Sequence, residues 1–231
     1  MILSVQFGSR KIEFALEFSN RKSLGITVRP DLHVLVKAPA GALVEKIKER
    51  VKKRAPWIIK QQGFFLQFYP KTPPRKYVAG ETHLYLGRHY CLKILKGKKD
   101  AVRLKGRYIE ITTPNKKKAE KLLKEWYAYH SRTKLFKIAD PLIERFKKYN
   151  ANPDSIALRA MPNRWGSCTT NGKIILNPEL IKAPKGCIEY VIIHELCHLV
   201  HRNHTLKFIN LQTKEMPNWE RWKMRLEKVL A

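Results

Sequence analysis

The chain begins with an alternation. Residues 11–18 place Ile12, Phe14, Leu16 and Phe18 on one face at period two, the mark of a half-buried strand. Residues 24–28 and 32–36 read as two more strands, flanking Arg29-Pro30-Asp31, a turn whose proline presets the backbone. A helix is then expected over 41–62, with Leu43, Ile47, Val51, Trp57 and Ile58 on its apolar side and a basic cluster on the other. Further strands are expected at 82–86, 90–95 and 108–112.

From Pro114 the rhythm becomes helical. Ala119, Leu122, Leu123 and Trp126 recur at three and four, as do Phe136, Leu142, Ile143 and Phe146, with Pro141 expected to kink or break the segment. The pattern predicts an α+β chain: an N-terminal β-rich domain with a basic helix over 1–113, then a mainly helical domain over 114–231. Neither an internal repeat nor a low-complexity linker is legible, so the two parts are expected to pack together.

With 231 residues and 44% hydrophobic content the chain can bury a real core. No apolar run approaches a bilayer span, and the first residues lack the basic and apolar regions of a secretory signal. A cytoplasmic protein without a membrane partner is therefore expected. Cys91, Cys168, Cys187 and Cys197 form no C-x-x-C pair, which argues against a disulfide framework or a cysteine zinc ribbon. The formal charge of +28 changes the picture more. It suits nucleic acid, a nucleotide or an acidic protein, but the basic residues are spread along the chain, as on a solvated lysine-rich surface. Composition does not choose between these readings.

Residues 188–200 carry the chemistry. They form an apolar helix whose His194 and His198, four apart, project from one face within reach of a single metal ion, with Glu195 between them. Burying two imidazoles and a carboxylate among Val, Ile and Leu is unfavourable unless something pairs with them, and a metal ion does so. Catalytic zinc needs a third protein ligand and an open position. His201 lies about 10 Å along a straight helix from His194, too far to converge with it. His204 can converge if the helix stops and the chain turns back, and Asn203 is the residue best able to adopt the left-handed conformation that ends a helix. The spacing of His194, His198 and His204 equals that of the long zincin motif H-E-x-x-H-x-x-G-x-x-H, with His201 in place of its glycine. His204 is thus favoured as third ligand. Pro184 fits the first turn of this helix.

Upstream, Asn171-Gly172 between two β-prone runs signals a hairpin beside the helix, whose edge could receive an extended substrate by strand addition. Trp165 in that segment reads first as core packing.

Taken together, Arg164-Trp165-Gly166-Ser167-Cys168, Asn177-Pro178-x-Leu180, Tyr190-Val191-x-x-His194-Glu195-Leu196-Cys197-His198-Leu199 and Asn203-His204-x-x-x-Phe208 resemble the YgjP-like metallopeptidase family. Ala38-Pro39, Trp57-Ile58, Leu84-Tyr85-Leu86-Gly87 and Trp126-Tyr127 also fit, so the resemblance covers nearly the whole chain. It implies a zincin-like catalytic domain, one catalytic Zn2+ at His194, His198 and His204, and Glu195 as general base. One departure is Ile209, where members often carry a second aromatic residue. The chain is more distantly similar to SprT-like and WLM proteases, which act on proteins attached to DNA. Some members of the family are described as hydrolases of UTP.

Three functions follow as expectations. The first is zinc-dependent hydrolysis of peptide bonds in a protein or peptide substrate, the enzyme being recruited to nucleic acid through its basic surface. The second is metal-dependent pyrophosphohydrolysis of a nucleotide, although no Gly-rich phosphate loop is present. The third is a basic nucleic-acid-binding protein whose zinc site is structural or silent. Tyr190 and Arg164 are candidates for oxyanion support, and both read first as structural.

Overall fold

In the computed structural model, residues 1–29, 31–66, 75–162 and 164–230 are described. They belong to two compact units, Met1–Thr72 and Pro73–Leu230. The change of rhythm at Pro114 therefore falls inside the second unit, not between units. The expected turn at Arg29-Pro30-Asp31 includes Pro30, which lies outside the described residues; around it, Leu32 N–H bonds Arg29 O at 2.9 Å.

The first unit opens with β1 (Ile2–Phe7), an addition to the strands legible in the sequence, paired antiparallel with β2 (Arg10–Ser19). β3 (Gly25–Val28) and β4 (Val34–Pro39) complete a sheet of order β1-β2-β4-β3, in which β2 and β4 run parallel. The alternation of β2 does its expected work: Ile12, Phe14 and Leu16 are buried, while Phe18 is exposed. The expected single helix is two, α1 (Val44–Lys53) and α2 (Ala55–Leu66). Pro56 explains the break, because it has no N–H to offer the Lys52 carbonyl and so cannot extend α1. Ile47, Val51 and Ile58 are buried against the sheet, but Leu43 and Trp57 are exposed, against expectation.

The second unit starts with β5 (Thr82–Tyr85), β6 (Arg88–Lys96), β7 (Ala101–Lys105) and β8 (Tyr108–Thr113). Their order, β5-β6-β8-β7 with β6 parallel to β8, repeats the scheme of the first sheet, and a helix follows each. A topological repeat is therefore present where none was legible in the sequence. α3 (Ala119–Phe146) runs unbroken through Pro141. Pro141 and Lys137, whose carbonyl loses its partner, are both exposed, so water can satisfy that carbonyl. The N-terminal half of α3 buries Leu123 and Trp126 with the sheet, and its C-terminal half buries Leu135, Ala139 and Phe146 in a second core.

That second core surrounds α4 (Lys185–Val200), the predicted apolar helix, with Pro184 as its N-cap. The hairpin β10 (Gly166–Cys168) and β11 (Lys173–Leu176) turns at Asn171-Gly172 as expected, Gly172 taking φ of 77°. β9 (Ser155–Leu158) adds to it in parallel. α5 (Leu206–Glu215) and α6 (Trp219–Leu230) close the fold. Among the described residues no helix is long and apolar enough to cross a membrane.

The ends of α3 and α5 are joined by Glu215. Its carboxylate meets Arg145 Nε at 2.8 Å and Lys148 Nζ at 2.9 Å, and accepts from the Tyr149 hydroxyl at 2.6 Å. Burial alone would raise its pKa, but the bonds from Lys148 and Tyr149 and the Arg145 charge together hold it below the ordinary 4.5. A carboxylate held low stabilises the fold above its unfolded pKa, and that stabilisation fades as pH falls below about 4.5. Glu215→Gln should lower unfolding stability by about 1–2 kcal/mol at pH 7 in urea titrations, and the difference from wild type should shrink at pH 3.

Candidate metal centre

α4 is apolar over most of its surface and largely buried, so the polar groups it turns inward must find partners within the protein. Lys185 and Glu189 pair on its solvent side, while His194 and His198, four residues apart, share a half-buried face opposite. The helix ends at Val200, and His201 is the C-cap in extended conformation, φ −132° and ψ 104°. The break therefore comes earlier than expected and needs no left-handed residue. Asn203 keeps negative φ, and the extended backbone of His201 suits any L-residue, which is why a glycine is dispensable there.

The break returns the chain so that His204 joins the pair. One nitrogen from each of His194, His198 and His204 lies within 4.8 Å of the others. The ring of His201 is not part of this group, but its carbonyl is used: His198 Nδ1 lies 3.3 Å from it. A carbonyl only accepts, so Nδ1 donates and His198 Nε2 carries the lone pair. On His194, Nδ1 donates to Gln212 Oε1 at 2.8 Å, with the same result. Gln212 is buried on α5, one turn beyond Phe208. A glutamine on the apolar face of an amphipathic helix was the available signal for this role.

Phe208 forms the floor. Its ring centroid lies 5.0, 4.7 and 4.7 Å from those of His194, His198 and His204, and it is almost fully buried. Ile209 points elsewhere and is exposed, so the departure from the family pattern at that position leaves the floor intact.

The donor set fits a metal cation. Burial pushes the His194 pKa down to about 4, and the neighbouring His198 and His204 charges act in the same direction. Burial, then His204, also lowers that of His198. Both imidazoles are thus neutral near pH 7, the form that ligates. His194 Nε2 and His204 Nε2 stand 3.1 Å apart. Metal–nitrogen bonds of about 2.0–2.1 Å in tetrahedral array would separate two such nitrogens by roughly 3.3 Å.

Glu195 sits beside the imidazoles, buried and lining the same cavity of about 690 Å3. Burial raises its pKa to about 7, while Arg164 and a hydrogen bond from the Cys168 backbone N–H oppose the rise. Its packing explains Gly166: a Cβ there would stand 2.6 Å from Glu195 Oε1 and 2.9 Å from Val191 Cγ1. β10 thus lies directly on the carboxylate, and any side chain at 166 would displace it. Trp165 packs against the core as read from the sequence, and it also lines the cavity, as do Arg164 and Tyr190.

The chain belongs to the YgjP-like metallopeptidase-domain family, whose model matches residues 22–229. No curated relative was found to match it.

If the fit at Gly166 is as tight as its distances show, Gly166→Ala should destabilise the fold by about 1–3 kcal/mol. In a Glu195→Ala background the same change should be milder, giving a coupling of about 0.5–3 kcal/mol in a double-mutant cycle of chemical unfolding.

Proposed function

We propose that this chain is a zinc-dependent metallopeptidase in which His194, His198 and His204 hold one Zn2+ and Glu195 is the general base. The observation that carries this reading is the convergence of three imidazole nitrogens within 4.8 Å, two of them fixed as lone-pair donors by Gln212 and the His201 carbonyl. Zinc, when bound, supplies Lewis acidity and lowers the pKa of water to about 7. Glu195 takes the proton of the attacking water and delivers it to the leaving amine nitrogen. Cys168 N–H holds that carboxylate in place, and burial keeps bulk water from competing for it.

Substrate binding is read from the edge of β10. The Trp165 carbonyl accepts from Asn177 N–H and Thr169 N–H donates to the Lys173 carbonyl, so Gly166 and Cys168, between them, face away from β11. The Cys168 N–H is taken by Glu195, and the Gly166 backbone groups and the Cys168 carbonyl form the outward edge. That outward edge supports strand addition by an extended peptide. The overall charge of +28 further supports recruitment of the enzyme to nucleic acid.

Glu195→Gln should cut cleavage of an unfolded protein substrate by about 100-fold or more while zinc content stays stoichiometric. Full activity in that variant would sink the general-base assignment. His204→Ala should lose zinc on dialysis and His201→Ala should retain it, with metal analysis as readout; the reverse pattern would transfer the third position to His201.

A second reading keeps the metal and changes the substrate to a nucleoside triphosphate. It is favoured by Arg164 and Arg202, which line the cavity while Glu195 is the one acid among its described residues. Metal-dependent release of pyrophosphate from UTP, lost in Glu195→Gln and unaccompanied by peptide cleavage, selects it.

A further inference from the structure

In the first unit a cavity of about 380 Å3 is lined by Leu24, Ile26, Arg50, Arg54 and Trp57. Its composition is unlike a solvated lysine surface. Leu24 and Ile26 are half-buried and give an apolar floor, while Trp57 leaves 38% of its surface exposed instead of joining the core. Arg50 and Arg54 are four residues apart at the end of α1, about 6 Å along the helix axis, and both are exposed. Among the described residues no carboxylate pairs with either. Glu13, Glu17 and Glu45 are engaged by Lys11, Lys37 and Lys48. Over residues 44–66, seven Lys and Arg face two Glu, a net +5.

We propose that this cavity binds single-stranded nucleic acid, with one base stacked on Trp57 and the flanking phosphates taken by Arg50 and Arg54. Guanidinium forks match phosphate oxygens in a bidentate way, and an exposed indole beside them is a platform for a base of any sequence. An acidic peptide would engage the arginines but would leave the indole without a planar partner. A bilayer surface would require a broader apolar face than one tryptophan over two half-buried aliphatics. The proposal rests on the nucleic-acid part of the reading above and is independent of the peptidase chemistry, since it uses no residue of the histidine centre.

The test is fluorescence anisotropy of labelled dT12 and rU12 with the full chain across a salt series. A duplex of equal length, a poly-glutamate peptide and vesicles containing phosphatidylserine serve as comparisons. Trp57→Ala should weaken binding of the single strands at least about fivefold, and Trp57→Phe should recover most of it. Arg50→Ala/Arg54→Ala should lower the slope of log K against log salt by about 1.4, the share of two phosphates on a single strand. Lys98→Ala/Lys99→Ala, which removes two exposed charges from the second unit, should change neither binding nor slope to that extent. Circular dichroism and thermal melting confirm that each variant is folded.

Binding of either single strand that depends on Trp57 and the arginine pair supports the proposal, and the stronger of dT12 and rU12 tells whether DNA or RNA is the better ligand. Equal losses in the arginine and lysine pairs would overturn it while leaving generic recruitment to nucleic acid in place. So would unchanged binding in Trp57→Ala, or preference for duplex, poly-glutamate or vesicles. No binding of any nucleic acid would overturn the site and the recruitment together.

Discussion

The second unit is organised by the need to cover a helix that is apolar over most of its surface. Gly186 to Ile188, Tyr190 to Ile193 and Glu195 to Cys197 are all buried on α4, so the helix is stable only when wrapped. The C-terminal half of α3, the β9–β11 sheet, α5 and α6 each contribute to that covering. One face with Lys185 and Glu189 reaches solvent, the His194 and His198 face is left half-open toward the cavity, and the packing that hides the rest of the helix holds those imidazoles neutral. The helix's other polar side chains, Lys185 and Glu189, pair with each other at the surface, so the polar groups turned toward the cavity are His194, Glu195 and His198.

What could be read from the sequence was local. His194, Glu195 and His198 are related by one helical turn, the Asn171-Gly172 turn by two residues, and the β2 stripe by alternation. What could not be read depends on distant partners. β1 and β9 are defined by the strands they pair with, and the parallel joining of β2 to β4 and of β6 to β8 leaves no mark on either sequence alone. Gln212 acquires its meaning from His194, eighteen residues away. Helix limits were the other weak point: the continuous apolar pattern over 41–62 is divided at Pro56, whereas α3 runs on through Pro141.

The placement of Trp57 shows an apolar side drawn too wide. Counted from Ile47 and Val51 at 3.6 residues per turn, Ala55 and Ile58 continue the stripe and Trp57 falls well off it. The buried residues keep that phase across the break at Pro56, with Ala55 and Ile58 inside and the indole turned outward. Repetition of one strand order in both units also shows that topology can recur where residues do not. A hairpin, a parallel neighbour and a second hairpin make a sheet that needs one covering helix, and many sequences satisfy that requirement.

The partner of His198 is a main-chain carbonyl, not a side chain, and this shapes how the site can change. No substitution at residue 201 deletes that oxygen, so the orientation of His198 is insulated from ordinary drift in the loop. What the oxygen cannot survive is a change in the number of residues between His198 and the point where the helix ends. The loop is therefore tolerant in identity and rigid in length, a constraint invisible to any comparison that scores residues one at a time and plain to one that counts gaps.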